Sequence, residues 1–143
     1  MFIAGVFKNK MNIIQLIHGY WRWLLALVVI LLVVKYVSGL ITGAKYAAID
    51  ERLGRAFAGT MTVQFVLGLL VLISKIMVGG FNPRIHMEHA FTGMMAVALA
   101  HAMPTFKRGS NTLRFISGLI LAVLSIAIAV YNVIFIRGNW FYN

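Results

Sequence analysis

Five ionisable residues fall near the starts of two apolar segments of the sequence. His18 and Arg22 lie near the start of the first segment, and the third segment begins with His86, Glu88 and His89. With about 3.6 residues per turn, His18 and Arg22 share one face of a helix, and His86 and His89 lie about 60° apart. A charged side chain at membrane depth costs about 2.5–3.5 kcal/mol or more, so ionisable groups kept there indicate function.

The chemistry that these residues favour is the binding of haem. Opposed imidazoles on two helices are the ligand pair of a bis-histidine haem b. We therefore expect His18 and His89 to be the axial ligands of the iron, with His86 as the substitute. Gly93 lies one turn inward from His89, where the missing side chain leaves room for a porphyrin ring.

The two charged residues of the group have roles in the same interpretation. Arg22 is suited to pair with a haem propionate. Glu88 could orient a ligand histidine through its second ring nitrogen, or balance the charge of Arg22. The structural alternative is an ion pair between Arg22 and Glu88 that joins spans one and three, with the histidines hydrogen-bonded in the interface.

The fourth histidine and the methionines leave two further metal sites open. His101 lies at the far end of the third segment, and no other segment carries a histidine at that depth. A second haem there needs an unusual ligand such as Met103, Met61 or water; the alternative is a core or loop-facing histidine with a backbone partner. Thioethers beside imidazoles suit copper, which is the competing metal. That copper site would use His18, His86, His89 and Met94 or Met95.

The elements that must position these residues are membrane helices. The chain has 143 residues, of which 62% are hydrophobic and 11% charged, and its mean hydropathy is +0.91. No soluble domain of this size hides so much apolar surface. Spans of about 20 residues are predicted at about 13–35, 56–77, 85–103 and 114–136. Short connections make neighbours antiparallel, so the prediction is a single-domain, all-α, integral membrane four-helix bundle of up-down-up-down topology, covering 1–143.

The charge distribution predicts how the bundle is oriented. The formal net charge is +10, but the basic residues punctuate apolar runs, which is typical of topology determinants and lipid contacts and not of nucleic-acid binding. Seven of them lie on the side of the first and third connections, namely Lys35, Lys45, Arg52, Arg55, Lys107, Arg108 and Arg114. Five lie on the opposite side, namely Lys8, Lys10, Lys75, Arg84 and Arg137. The positive-inside rule therefore predicts a multi-pass protein of a cell membrane, the bacterial inner membrane, with both termini on the non-cytoplasmic side.

The sequence excludes several kinds of chemistry and offers a second possible start residue. The sequence has no cysteine, which excludes disulfides, Cys-ligated iron–sulfur clusters and c-type haem attachment. Met11 directly precedes the first helix and is an alternative start to Met1. No nucleophile with a base, phosphate-binding loop or pair of carboxylates is evident, so no independent enzymatic activity is expected.

Several short motifs resemble those of small four-helix membrane proteins of the cytochrome b-like kind, such as the cytochrome b561 and copper-resistance D types. They are HGYWRW at 18–23, IDERL at 49–53, Glu88-His89, and Ala100-His101. The resemblance covers most of the chain from Met11 onward. In those bundles, paired histidines on two helices hold two stacked haems that pass electrons across the bilayer. Here spans two and four lack histidine and span one has a single one, so the resemblance implies one haem b, with a second left open.

Three functions follow as expectations from the residues and the resemblance. The first is a membrane electron-transfer protein or subunit that holds haem between spans one and three and exchanges electrons with a quinone pool or a larger complex. The second is a non-redox accessory subunit of a respiratory or photosynthetic complex, in contact with other membrane subunits and the lipid bilayer. The third is a copper-binding membrane protein.

Overall fold

The computed structural model describes residues 2–136, with side chains from residue 13 onward. Its helices are α1 (Phe2–Thr42), α2 (Ala48–Met77), α3 (Pro83–His101) and α4 (Asn111–Tyr131). A short 3-10 helix (Met103–Phe106) precedes α4, which continues as a π-helical segment (Asn132–Ile136). No strand occurs in this described part of the chain. The prediction of an all-α four-helix bundle is therefore confirmed.

The four helices pack in a closed square in chain order. Helix α1 packs on α2, α2 on α3, α3 on α4, and α4 returns to α1. Because the connections are short, successive helices run antiparallel. Helices α1 and α3 are consequently parallel and lie on a diagonal, facing each other across the middle of the bundle. We call the end that holds the starts of spans one and three the histidine end, and the opposite end, with connections 43–47 and 102–110, the basic end.

Three of the described helical stretches are long and apolar enough to cross a membrane. They are Ile13–Ile41, Ala48–Met77 and Asn111–Ile136. Helix α3 is not among them: it has 19 residues, or about 28 Å at the usual rise, and it carries Arg84, Glu88 and three histidines. The lengths and composition of three helices thus agree with the predicted membrane fold.

Helices α1 and α2 are longer than the predicted spans, and α1 already begins at Phe2, before residue 13. Helix α1 continues past residue 35 to Thr42 and ends where Gly43 takes a left-handed φ of +63°, a conformation that glycine adopts without strain. Helix α2 begins at Ala48 and not near residue 56, because Asp50 caps it: the Ala47 N–H donates to Asp50 Oδ2 at 2.8 Å. An acidic residue in the first turn also complements the helix dipole.

Close contacts between α1 and α4 fix the basic end. A Cβ atom on Gly118 would lie 2.4 Å from Tyr36 Cε2, and one on Gly39 would lie 2.5 Å from Phe115 Cζ. The Tyr36 and Phe115 rings are both buried and meet edge to face, with centres 5.5 Å apart. Gly39 and Gly118 thus let α1 and α4 pack closely, whereas Gly43 ends the helix.

We expect Gly118→Ala to destabilise the bundle by about 1–3 kcal/mol, because the added methyl group must displace the Tyr36 ring. The midpoint of thermal unfolding in detergent should fall. Gly59→Ala is the matched control, since nothing lies within 4 Å of a Cβ at that position and alanine favours the helix. Equal midpoints for Gly118→Ala and the unchanged protein would contradict the close approach of α1 and α4.

Candidate functional site

A cavity of about 490 Å³ lies inside the bundle and is lined by all four helices. Most of its wall is apolar, with side chains such as Leu25, Val29 and Phe65. Its polar lining residues are Gln15, His18, Arg22, Gln64, His86, His89 and Asn132. A cavity of this size and composition, apolar with a few convergent polar groups, is typical of a cofactor or ligand site.

Two imidazoles lie next to each other in this cavity, with their planes close to perpendicular. His18 on α1 is buried, His89 on α3 is half-buried, and their ring centres are 6.3 Å apart with the planes at 73°. A metal held about 2.0 Å from one nitrogen of each ring separates the two ring centres by about 6 Å. The observed ring-centre separation is close to this value, while the edge of His18 that carries both ring nitrogens lies against Gln64 on α2.

The Asn132 side chain fixes the orientation and the proton of His89. The Asn132 amide nitrogen donates to the His89 carbonyl oxygen at 2.9 Å, and its amide oxygen contacts His89 Nδ1. Because a carbonyl oxygen only accepts, the amide nitrogen must face it, and the amide oxygen then accepts a hydrogen from Nδ1. In a neutral ring the proton on Nδ1 leaves Nε2 deprotonated, which is the form that binds a metal.

Helix α2 determines the position of His18. The Gln64 amide nitrogen lies 3.2 Å from the His18 carbonyl oxygen and 3.2 and 3.3 Å from the two ring nitrogens. A Cβ atom on Gly68, one turn further along, would lie 3.1 Å from His18 Cε1. Trp21 donates its indole N–H to the Thr60 carbonyl oxygen at 3.0 Å. These contacts fix the rotation of α1 against α2 and place the Cε1 edge of the imidazole against α2.

The amide oxygen of Gln64, Oε1, is a buried acceptor that has no hydrogen-bond partner among the described residues. Leaving such an acceptor unsatisfied costs roughly 1–3 kcal/mol. Because Gln64 lines the cavity, a donor group of a ligand or water molecule in the cavity would remove this cost. Gln64 Oε1 is therefore an acceptor in the cavity wall that a donor group in the cavity could satisfy.

Two other predicted site residues lie at the same cavity. Arg22 is half-buried in the wall, one turn after His18, with its guanidinium 5.8 Å from the Trp23 ring centre. Gly93 also lines the cavity, and a Cβ atom there would lie 3.4 Å from the Phe65 ring. The structure thus brings Arg22 and Gly93 to the two histidines.

The expected place of Glu88 in the site is not observed. Its side chain is exposed and pairs with Arg84 at 3.3 Å, and it does not line the cavity. The reason is the helical rotation of about 100° per residue, which turns Glu88 out of the bundle when His89 points in. The ring nitrogen that we expected Glu88 to orient is held by Asn132, and the alternative ion pair between Glu88 and Arg22 is not observed.

His86 lines the edge of the cavity but is engaged by the start of α3. Its Nδ1 lies 2.8 Å from both the backbone nitrogen and the carbonyl oxygen of Asn82. Its ring stacks on Phe81 with the centres 5.5 Å apart. These contacts hold the turn before α3, so the geometry favours His89 over the substitute His86 as the partner of His18.

The residues expected for a second haem or for copper are not assembled around the histidine pair. His101 is exposed near the basic end, with Nε2 2.8 Å from Thr62 Oγ1, and it lines a second cavity with Met103, whereas Met61 lines the first. Met94 and Met95 are exposed and line neither cavity. No group of three or more His, Cys, Asp or Glu residues in the described chain could hold a metal ion.

Sequence reasoning missed the two amides that hold the histidines. Gln64 and Asn132 have no predicted role. Each is the one Asn or Gln in its predicted span, 56–77 for Gln64 and 114–136 for Asn132. The available signal was that a polar side chain inside a membrane helix needs a partner. Which histidine each amide meets depends on the rotation of the helices, and that information comes from the structure.

No protein-family model, curated protein or solved structure matches this chain. The resemblance to cytochrome b-like proteins therefore stays a prediction. The interpretation of the site depends on its own geometry.

We expect Asn132→Ala to destabilise the protein by about 1–3 kcal/mol, because the His89 carbonyl oxygen and Nδ1 both lose a buried partner. The measurement is thermal unfolding in detergent. Ile134→Ala is the control, because Ile134 lies in the same π-helical segment with its side chain exposed. An unfolding midpoint lowered no further by Asn132→Ala than by Ile134→Ala would show that the amide does not support His89.

Proposed function

We propose that this protein is an integral membrane, b-type cytochrome-like electron-transfer protein or subunit, with one haem b held inside the bundle. His18 and His89 would hold the iron. The observation that carries the proposal is the pair of neighbouring imidazoles, 6.3 Å between ring centres, in a cavity of about 490 Å³. A haem bound there supplies a one-electron Fe(III)/Fe(II) couple.

The residues around the two imidazoles fit a planar group of this kind. Gly68 and Gly93 place no side chain in the cavity, and most of the wall is apolar, which suits a porphyrin. The His89 tautomer set by Asn132 presents Nε2 for the iron. Each imidazole ring is contacted by an amide of another helix, His18 by Gln64 on α2 and His89 by Asn132 in the π-helical segment, and such outer contacts orient metal ligands.

Arg22 supplies the charge that a haem needs. Among the described residues that line this cavity, Arg22 is the only Lys or Arg. A guanidinium forms charge-assisted hydrogen bonds with a carboxylate, often in pairs. In the proposal Arg22 therefore binds a haem propionate and offsets its negative charge within the bundle.

The proposed location is a cell membrane, the bacterial inner membrane, crossed by all four helices. The side with seven basic residues faces the cytoplasm and the side with five faces outward, following the positive-inside rule. Both termini and the haem then lie toward the non-cytoplasmic side. Electrons pass between a quinone pool or a larger membrane complex and a partner at that surface, and the chain has no enzymatic activity of its own.

A second candidate function is a non-redox accessory subunit of a larger membrane complex. One observation favours it: His18 and His89 already have protein partners in Gln64 and Asn132. Such a network also serves as structural polar contact between helices. Co-purification with a large complex at fixed stoichiometry, without haem, would support this function over the first.

We expect the purified protein to show a reduced-minus-oxidised absorption spectrum of the b type. His18→Ala and His89→Ala should each abolish it, because each removes an axial ligand. His86→Ala and His101→Ala are the matched controls and should keep it, since His86 is held by Asn82 and His101 lies near the basic end. A haem-free preparation from cells that make haem in excess would refute the proposal.

We expect Asn132→Asp to lower the midpoint potential while the b-type spectrum is kept. A carboxylate that accepts from Nδ1 makes the imidazole more basic and so stabilises the ferric state. Redox titration of the purified protein measures the shift. Glu88→Gln changes the charge by one unit of opposite sign outside the cavity, and it should leave the potential nearly unchanged; a shift of equal size and opposite direction in this variant would contradict the role of Asn132.

A further inference from the structure

A second cavity, of about 410 Å³, lies at the basic end of the bundle. Its apolar floor includes Ala58, Ala100, Met103 and Gly118. Its basic lining residues, besides His101, are Arg55, Lys107 and Arg114. The proposed haem site uses none of these residues, so the second cavity needs its own explanation.

The mouth of the second cavity carries positive charge that the protein does not neutralise. Arg55 pairs with Glu51 at 3.0 Å. Within the described chain, neither Lys107 nor Arg114 has a carboxylate within 4.0 Å. The Arg114 guanidinium lies 3.8 Å from the centre of the Tyr46 ring, which holds it in place by a cation–π contact. The cavity therefore has one positioned cation and one exposed cation available for an anion.

The tyrosines in the wall of the second cavity are used within the protein. Tyr36 donates its hydroxyl hydrogen to the Asp50 carbonyl oxygen at 3.0 Å, so Tyr46 must donate in the 2.9 Å contact between the two hydroxyls. Both hydroxyl hydrogens are thereby consumed. The side chains of this cavity that can contact an anionic ligand are therefore Lys107 and Arg114.

A glycine keeps the floor of the second cavity open. A Cβ atom on Gly54 would lie 3.0 Å from the Tyr36 hydroxyl oxygen and 3.6 Å from Met103 Sδ. Packed atoms of Tyr36 and Met103 therefore bound this part of the cavity. An apolar floor with a cationic mouth is complementary to an amphiphile that has an anionic headgroup.

We propose that the second cavity binds the phosphate headgroup of an anionic lipid at Lys107 and Arg114, with part of its acyl chain on the apolar floor. A soluble anion would make no contact with the apolar floor, and a neutral ligand would form no ion pair with Lys107 or Arg114. The inference rests on the proposed membrane location and not on the haem. In that location the basic end faces the cytoplasmic leaflet, where anionic lipids attract basic side chains.

The test is lipid binding to the full chain, purified and delipidated in a neutral detergent. Native mass spectrometry measures how much phosphatidylglycerol or phosphatidylcholine stays bound, and inorganic phosphate and glycerol 3-phosphate are added as competitors. We expect phosphatidylglycerol to be retained over phosphatidylcholine. Lys107→Gln and Arg114→Gln should each weaken its binding about fivefold, as expected for one basic residue near anionic lipid.

The matched control is Arg84→Gln, which removes the same charge at the histidine end and should leave lipid binding unchanged. Lys107 lies in an exposed connection, so its substitution does not disturb the core, and thermal unfolding checks the Arg114 variant. Equal retention of the two lipids, or equal effects of all three variants, would overturn the site. Displacement by inorganic phosphate at similar concentration would assign a phosphate site without a lipid. Solubility without detergent would instead refute the membrane location itself.

Discussion

The need of every buried polar group for a partner governs the interior of this bundle. An apolar bundle offers no bulk water, so an unmatched donor or acceptor costs roughly 1–3 kcal/mol. Two buried polar side chains near the end of α4 accordingly reach across to α3. Ser125 on α4 donates to the Ala96 carbonyl oxygen on α3 at 2.6 Å, and Asn132 binds His89 on both sides. The helix rotations follow from these matches, because apolar side chains lie nearly all round each helix and favour no single inner face.

The centre of the bundle is filled at the basic end and contains a cavity at the histidine end. At the basic end, large rings fill the centre: Tyr36 and Phe115 lie against Gly118 and Gly39, which let α1 and α4 approach closely. Further along, the inner positions of α2 and α3 carry Gly68 and Gly93 beside the histidines. No large ring among the described residues fills the space between the imidazoles, so a cavity remains there. Glycine thus allows close packing at both ends, against Tyr36 and Phe115 at the basic end and against His18 and Phe65 at the histidine end.

Sequence alone predicted much of the fold because the apolar runs are long and the connections short. It also brought His18 and His89 together, since helices α1 and α3 are parallel and both histidines lie near the starts of their spans. It could not assign Glu88, because a difference of one residue, about 100° of rotation, decides between the cavity and the outside. The amide partners were missed for a related reason. Gln64 and Asn132 lie on other helices, and their meeting with the histidines depends on the interhelical rotation and on the π-helical segment that begins at Asn132.

The choice of an amide beside His89 has a physical reason. A carboxylate at Asn132's position would accept from Nδ1 but could not donate to the His89 carbonyl oxygen, so one of the two contacts would be lost. Burying its charge in the bundle would also cost several kcal/mol. The neutral amide satisfies donor and acceptor together and fixes the tautomer without adding charge. The carboxylate Glu88 remains outside, paired with Arg84. The described lining of the cavity then has the guanidinium of Arg22 beside the two imidazoles and no carboxylate, an arrangement that is electrostatically suited to an anionic ligand.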